Sequence, residues 1–303
     1  MEAYNIIKGT LFLVLLVTGI PGNLLISSVF FFAFITRIPL LLTEIIIFKI
    51  TIINLLLILT RGLPVTLFLV FDLKNLFGDN GCKVIMYLAR VSRAMAICST
   101  CILVCIQCII LSPSSSRLFA LKMKLSHYTL IAFNFVLILN MATEIGPPVF
   151  TTSELNSTDL EYTFYFGYCV VNFRDYITIM TSLFTLVSRD AIFVVMMASA
   201  SANIMVMLLR HSKQIKRVKK DIKSTKNSAE IKAAKTVVIL ASLYVIFIGF
   251  ETTILLYQVT VSRRIHPIVS DVRHFFSVCY ASVFPSVVVI SNKRIQSCAK
   301  CLF

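Results

Sequence analysis

The chain has 303 residues, 58% of them hydrophobic and only 14% charged, with a formal net charge of +15. Its mean hydropathy is +0.89, and so little charge cannot cover a soluble domain, which carries roughly 25% charged residues. A water-soluble enzyme or binding module is therefore excluded, and most of the surface must face lipid.

Apolar runs long enough to span a ~30 Å hydrocarbon core recur seven times. They cover 9–35, 45–71, 83–111, 127–149, 190–209, 235–260 and 268–291. No basic segment precedes the first run and no small-residue cleavage site follows it, so it reads as a retained helix rather than a signal peptide. Lys49 lies near the inner end of the second run and is expected to snorkel to the headgroups. The third run holds Cys98, Cys101, Cys105 and Cys108, a spacing that resembles a thiolate cage. On a helix, however, the four form a stripe spread over roughly 15 Å. Zinc binds sulfur at about 2.3 Å, so one ion cannot collect them. They read as small, soft packing residues. Neither a metal nor a cofactor is expected, and no catalytic motif occurs, so an enzyme is not expected. There is no internal repeat. Residues 1–303 read as one domain, an all-α bundle of seven transmembrane helices.

The basic residues set the orientation. The connection over 210–235 carries ten Lys or Arg against two acids, and it follows the fifth run. Arg117, Lys122 and Lys124 follow the third run, and Lys293, Arg294 and Lys300 follow the seventh. By the positive-inside rule the N-terminus is outside and the C-terminus inside. This clustering in a few short connections also explains the net charge without nucleic acid as a partner. Asn156-Ser157-Thr158 is a glycosylation acceptor in the long outer connection before the fifth helix. Cys82 and Cys169 also fall in outer segments, where oxidising conditions favour a disulfide between them. Cys298 and Cys301, beside Lys300 at the inner surface, are palmitoylation candidates.

Charges inside a membrane are costly and need a reason. Arg61, Arg90, Arg93, Glu144 and Glu251 all fall in the outer half of the bundle. Arg90 and Arg93 lie roughly 12 and 17 Å below Cys82 by helical rise. Such convergence points to a polar cavity open to the outside, with these five as candidate ligand-binding residues. Arg93, Thr100 and Gln107 recur every seven residues and form one polar stripe, expected to face the bundle axis. Glu251 is at the depth of Arg93 and is the candidate partner for it when no ligand is present.

Ordered matches along nearly the whole chain carry a resemblance. They include Leu59-Thr-Arg-Gly-Leu-Pro64, Tyr87-Leu-Ala-Arg-Val-Ser-Arg93 and Leu111-Ser-Pro-Ser-Ser-Ser-Arg117. Leu209-Arg-His211, Cys279-Tyr-Ala-Ser282 with Pro285, and Lys293-Arg-Ile295 continue the series. The sequence resembles the type-1 vomeronasal receptors, which are class A-like G-protein-coupled receptors, and looks like a divergent or early-branching member. Leu118 stands where these receptors usually carry Trp. Like them, it has Ile106-Gln107-Cys108 in place of Asp-Arg-Tyr, and it keeps Gly22-Asn23 and Pro285 while carrying Asn54 in place of the usual Asp. The resemblance implies a multi-pass plasma-membrane chemosensory receptor for a small-molecule or pheromone ligand. It implies coupling to a heterotrimeric G protein of the inhibitory class. The inner-surface candidates for that contact are Gln107, Arg117, Lys216, Arg217, Lys219 and Lys220. Two other readings stand beside it. A bitter-taste-type receptor has similar length, and a membrane transporter would belong to another class.

Overall fold

The computed structural model describes residues 2–71, 73, 76–112, 122, 124–153, 163–166, 168–217, 225–260, 267–292 and 295–296. Within these, side chains are described outside 2–5, 165, 211–230 and 259–268. Helix one is Glu2–Ile35, helix two Leu42–Phe71, helix three Asp79–Leu111 and helix four Leu125–Thr143. Helix five is Tyr176–Arg217, helix six Thr225–Thr260 and helix seven Pro267–Ser291. All seven are long and apolar enough to cross a membrane.

Helix three is the axial element. In its most apolar stretch 72% of residues are buried, against 11% in helix five, which turns most of its surface to lipid. The cysteine stripe packs as a small apolar face would. Cys98, Cys101 and Cys108 lie in the main core with Ile97, Val104 and Phe284. Asn140 of helix four donates its amide to both Cys98 Sγ and Met95 Sδ at 3.4 Å. The polar stripe points elsewhere: Thr100 Oγ1 lies 3.2 Å from the Tyr280 hydroxyl on helix seven.

Two prolines shape the outer and inner halves. Pro64 has no N–H for the Thr60 carbonyl, and helix two widens just before it into a π turn over Ile58–Gly62. There the amide of Leu63 bonds the carbonyl of Ile58, five residues back. Arg61 sits in this turn, and such turns often mark functional positions. Pro285 likewise leaves the Ala281 carbonyl without a helical donor. Asn23 of helix one supplies the missing bond, its Nδ2 donating to that carbonyl at 2.9 Å. The approach is close: a Cβ at Gly22 would stand 2.8 Å from the Pro285 ring.

Two features differ from the sequence reading. Helix five starts at Tyr176 rather than near 190, because Arg189 and Asp190, which depress local hydropathy, are neutralised by partners inside the bundle. The outer connection before it is also not plain loop. It forms β1 (Thr151–Thr152), β2 (Thr163–Tyr165) and β3 (Val170–Asn172), paired antiparallel in the order β1-β3-β2. The β-branched and aromatic residues of these strands, among them Thr163, Phe164, Val170 and Val171, suit a pleated, half-buried surface. Asp79 at the start of helix three accepts bonds from the Ser153 amide and hydroxyl at 2.8 and 2.7 Å, which anchors one end of the sheet. Cys169, just before β3, is bonded to Cys82 at a Cα separation of 5.8 Å. Both cysteines are fully buried, beside Tyr168.

That disulfide closes a loop of 87 residues, for which loss of loop-closure entropy predicts a contribution on the order of 4 kcal/mol. Cys82→Ser and Cys169→Ser are each expected to abolish cell-surface display, and the double variant should be no worse. Normal display of either single variant, measured by surface labelling, would contradict the assigned role.

Candidate functional site

The five charged residues singled out in the sequence come together beneath the outer sheet. Arg93 of helix three is at the centre. Its Nε lies 2.9 Å from both carboxylate oxygens of Glu251 on helix six. Its Nη2 donates to Asp190 Oδ2 on helix five, also at 2.9 Å. Arg61 of helix two shares Glu251 at 3.2 Å and also donates to Ser277 Oγ on helix seven. On the other side, Asp190 Oδ1 accepts from Arg189 Nε and Nη2 at 3.2 and 3.1 Å. Arg189 continues to Glu144, which also accepts from Arg90 Nε at 2.7 Å. The result is one alternating chain, Arg61–Glu251–Arg93–Asp190–Arg189–Glu144–Arg90, crossing helices two to six.

Its interior members are removed from solvent: Arg93, Glu251, Asp190 and Glu144 are no more than 5% exposed. The polarity of the chain follows from physical necessity. A guanidinium keeps its charge, so each arginine must be met by anions. Its planar fork lets Arg93 serve carboxylates from two different helices at once.

The chain borders a cavity of about 790 Å³, counted to its open mouth. The sheet and its flanks roof it with Phe164, Phe166, Val171 and Phe173, while helices two, three, six and seven contribute Arg61, Arg93, Glu251 and Arg273. A second hollow of about 740 Å³ adjoins it between helices four and five, reaching Arg90 and Glu144 past Thr178, Thr181 and Ser182. Tyr168, between β2 and β3, is fully buried, and burial pushes its phenol up to about 12.

Three charged residues of this site were not anticipated. Arg189 and Asp190 stand at the start of the fifth run as hydropathy draws it, 190–209. A count of intramembrane charge would have found them, since three arginines against two carboxylates need another anion at that depth. Arg273 on helix seven is 6% exposed and lines the cavity. Among the described residues no carboxylate lies within ion-pair distance of it. Its Nη2 lies 3.4 Å from His274 Nε2, its guanidinium sits 5.7 Å over the Phe164 ring, and its Nε has no partner. Among the described residues around the cavity, five arginines thus meet three carboxylates, leaving two positive charges in excess.

The inner-surface candidates are placed differently. Gln107 is 1% exposed and its Oε1 has no partner, so it is enclosed by the bundle in this conformation. Lys216 and Arg217 fall in the last turn of helix five. Arg117, Lys219, Lys220, Asn156, Cys298 and Cys301 lie outside the described residues.

Asp190→Asn would leave Arg189 with Glu144 alone and one side of Arg93 without an anion inside the bundle. Breaking a buried pair costs about 3–5 kcal/mol. The variant is expected to show a clear drop in melting temperature in detergent, and Asp190→Glu should recover most of it.

The sequence matches the vomeronasal organ pheromone receptor family over residues 6–301. It is 34% identical to olfactory receptor class A-like protein 1 of Danio rerio, over 99% of this chain and 94% of that one. It is 27% identical to vomeronasal type-1 receptor 90 of Rattus norvegicus, over 97% and 94%. In structure it is similar to squid rhodopsin, with a TM-score of 0.74 at 16% identity, over 99% of this chain and 85% of that one. The bitter-taste and transporter readings are thereby set aside. The rhodopsin-like seven-helix fold and the whole-length match agree: the chain belongs to the vomeronasal organ pheromone receptor family and is a multi-pass, G-protein-coupled chemosensory receptor of the plasma membrane.

Proposed function

We propose that the receptor binds a small external ligand bearing an acidic or carbonyl group in the outer cavity. The ligand would signal by loosening the Arg93–Glu251 bridge between helices three and six. The observation that carries this reading is the charge imbalance among the described residues of the cavity, two cations in excess with no described carboxylate on Arg273. A polar group that fills a mostly apolar pocket supplies specificity, and here it would also supply the missing negative charge. Arg273 and Arg90 are the first contacts, because Arg93 already holds two carboxylates. Once a ligand anion stands beside Arg61 and Arg93, Glu251 is no longer the one carboxylate they share, and helix six is free to move. The ligand can shift the equilibrium only by its higher affinity for that second state.

On the inner side, separation of helices five and six would expose Gln107 and the basic connection to the G protein. Arg117, Lys216, Arg217, Lys219 and Lys220 complete that surface. Coupling to the inhibitory class rests on family resemblance.

Glu251→Gln should raise basal signalling in a G-protein assay, because the neutral amide holds Arg93 less tightly. Arg273→Gln should reduce agonist potency by tenfold or more with surface display retained. Unchanged potency of the Arg273 variant toward an identified agonist removes that residue from the ligand site. Unchanged basal activity of the Glu251 variant removes the latch.

Neutralising Lys216, Arg217, Lys219 and Lys220 together should weaken G-protein activation while ligand binding is preserved, as read by radioligand binding and nucleotide exchange on the same membranes. Full activation by a correctly oriented variant would assign these residues to topology alone.

A further inference from the structure

At the inner end of the bundle, far from the cavity, an open groove of about 1060 Å³, solvent at its mouth included, runs between helices two and four. Its lower rim carries Lys124, Ser126 and His127. Its wall is apolar, with Leu42, Ile45 and Phe133. Lys49 also lines it, and its placement departs from the snorkelling expected of it. The residue lies roughly 10 Å into helix two by helical rise. Its Nζ does not turn down to the headgroups but rests 4.0 Å from the centroid of Phe133 on helix four. Phe133 is itself roughly 12 Å above the start of that helix. A cation at this depth is costly, and a ring face returns about 0.5–2 kcal/mol.

Among the described residues no carboxylate lines the groove. In the sequence between Glu44 and Glu144 the only acids are Asp72 and Asp79, and Asp79 begins helix three at its outer end. Glu44 does not line the groove, and its carboxylate accepts the Leu41 amide at the start of helix two. Helix four adds to the positive field. Its N-cap is Lys124, which offers no side-chain acceptor, so the first-turn amides have no partner within the helix and the helix dipole places its positive end there.

We propose that this groove is a binding site for an anionic phospholipid of the inner leaflet. The headgroup phosphate sits at the rim between Lys124 and the start of helix four. Lys49 exchanges the face of Phe133 for the same phosphate, and an acyl chain lies along Leu42 and Ile45. The argument is charge complementarity at a fixed depth. The inner leaflet is where anionic lipid is concentrated, and the groove combines cations without acids with a wall fit for hydrocarbon. A merely diffuse basic surface would not draw a lysine up into the bundle.

The test is native mass spectrometry of the purified full-length receptor in detergent, titrated with equal amounts of dioleoylphosphatidylserine and dioleoylphosphatidylcholine. The receptor should retain the serine lipid preferentially. Lys124→Gln, at an exposed position where folding is not at risk, should reduce that preference about fivefold. Lys49→Met should reduce it by a similar factor. Lys232→Gln with Lys235→Gln removes two basic residues from the inner end of helix six, outside the groove, and should leave the preference intact. Equal loss in the helix-six variant would overturn the proposal in favour of diffuse surface charge. Equal retention of both lipids, or an unchanged preference in the Lys124 variant, would overturn it too. The first of these outcomes would make the groove an apolar slot indifferent to the headgroup.

Discussion

A guanidinium that cannot lose its charge, held at the axis of a membrane bundle, constrains everything around it. Arg93 lies roughly 17 Å below the outer disulfide by helical rise, and it is 5% exposed. Burial there is tolerable only if anions arrive from other helices. Glu251 and Asp190 do so, and they set the rotation of helices six and five about helix three. A slip of one residue in either helix would turn its carboxylate by about 100° away from the axis. The remaining pairs follow from the first, since each acid is shared between arginines and each shared acid brings in another helix. Arginine is needed in this role, because a lysine ammonium has no rigid fork to divide between two carboxylates.

The same network gives the outer half of the bundle its two mechanical properties. It ties helices two to six together by directional bonds, where apolar packing alone would let them slide. It also holds the cavity open at a polar depth, roofed by a sheet that the disulfide and Asp79 hold against helix three. Below it the character changes. The Tyr244 and Tyr280 rings meet edge to face at 4.4 Å, Thr100 bonds Tyr280, and Tyr244 donates to the Arg93 carbonyl at 3.5 Å. A change at Arg93 thus meets aromatic contacts between helices six and seven before it reaches the inner half.

Backbone breaks are placed where they are tolerated. The π turn before Pro64 puts Arg61 on the side facing Glu251 and Ser277. The carbonyl that Pro285 strands is capped by Asn23, which pins helix one to helix seven through Gly22. Within lipid there is no water to repair such a break, so each needs a partner from the neighbouring helix.

The sequence by itself determined the membrane setting, the seven spans and their direction, because hydropathy and basic-residue asymmetry are properties of composition along the chain. It also singled out Arg61, Arg90, Arg93, Glu144 and Glu251, since any charge within an apolar run stands out. Only the tertiary structure decided which carboxylate meets which arginine, that Arg189 and Asp190 lie inside the bundle, and that Arg273 has no carboxylate among the described residues. It alone placed Lys49 against Phe133. These depend on the rotation and tilt of each helix relative to its neighbours, which periodicity within one helix does not specify. The early start of helix five has the same origin. Arg189 and Asp190 look like a membrane boundary when their cost is counted alone, and they belong to a spanning helix once Glu144 and Arg93 from other helices neutralise them.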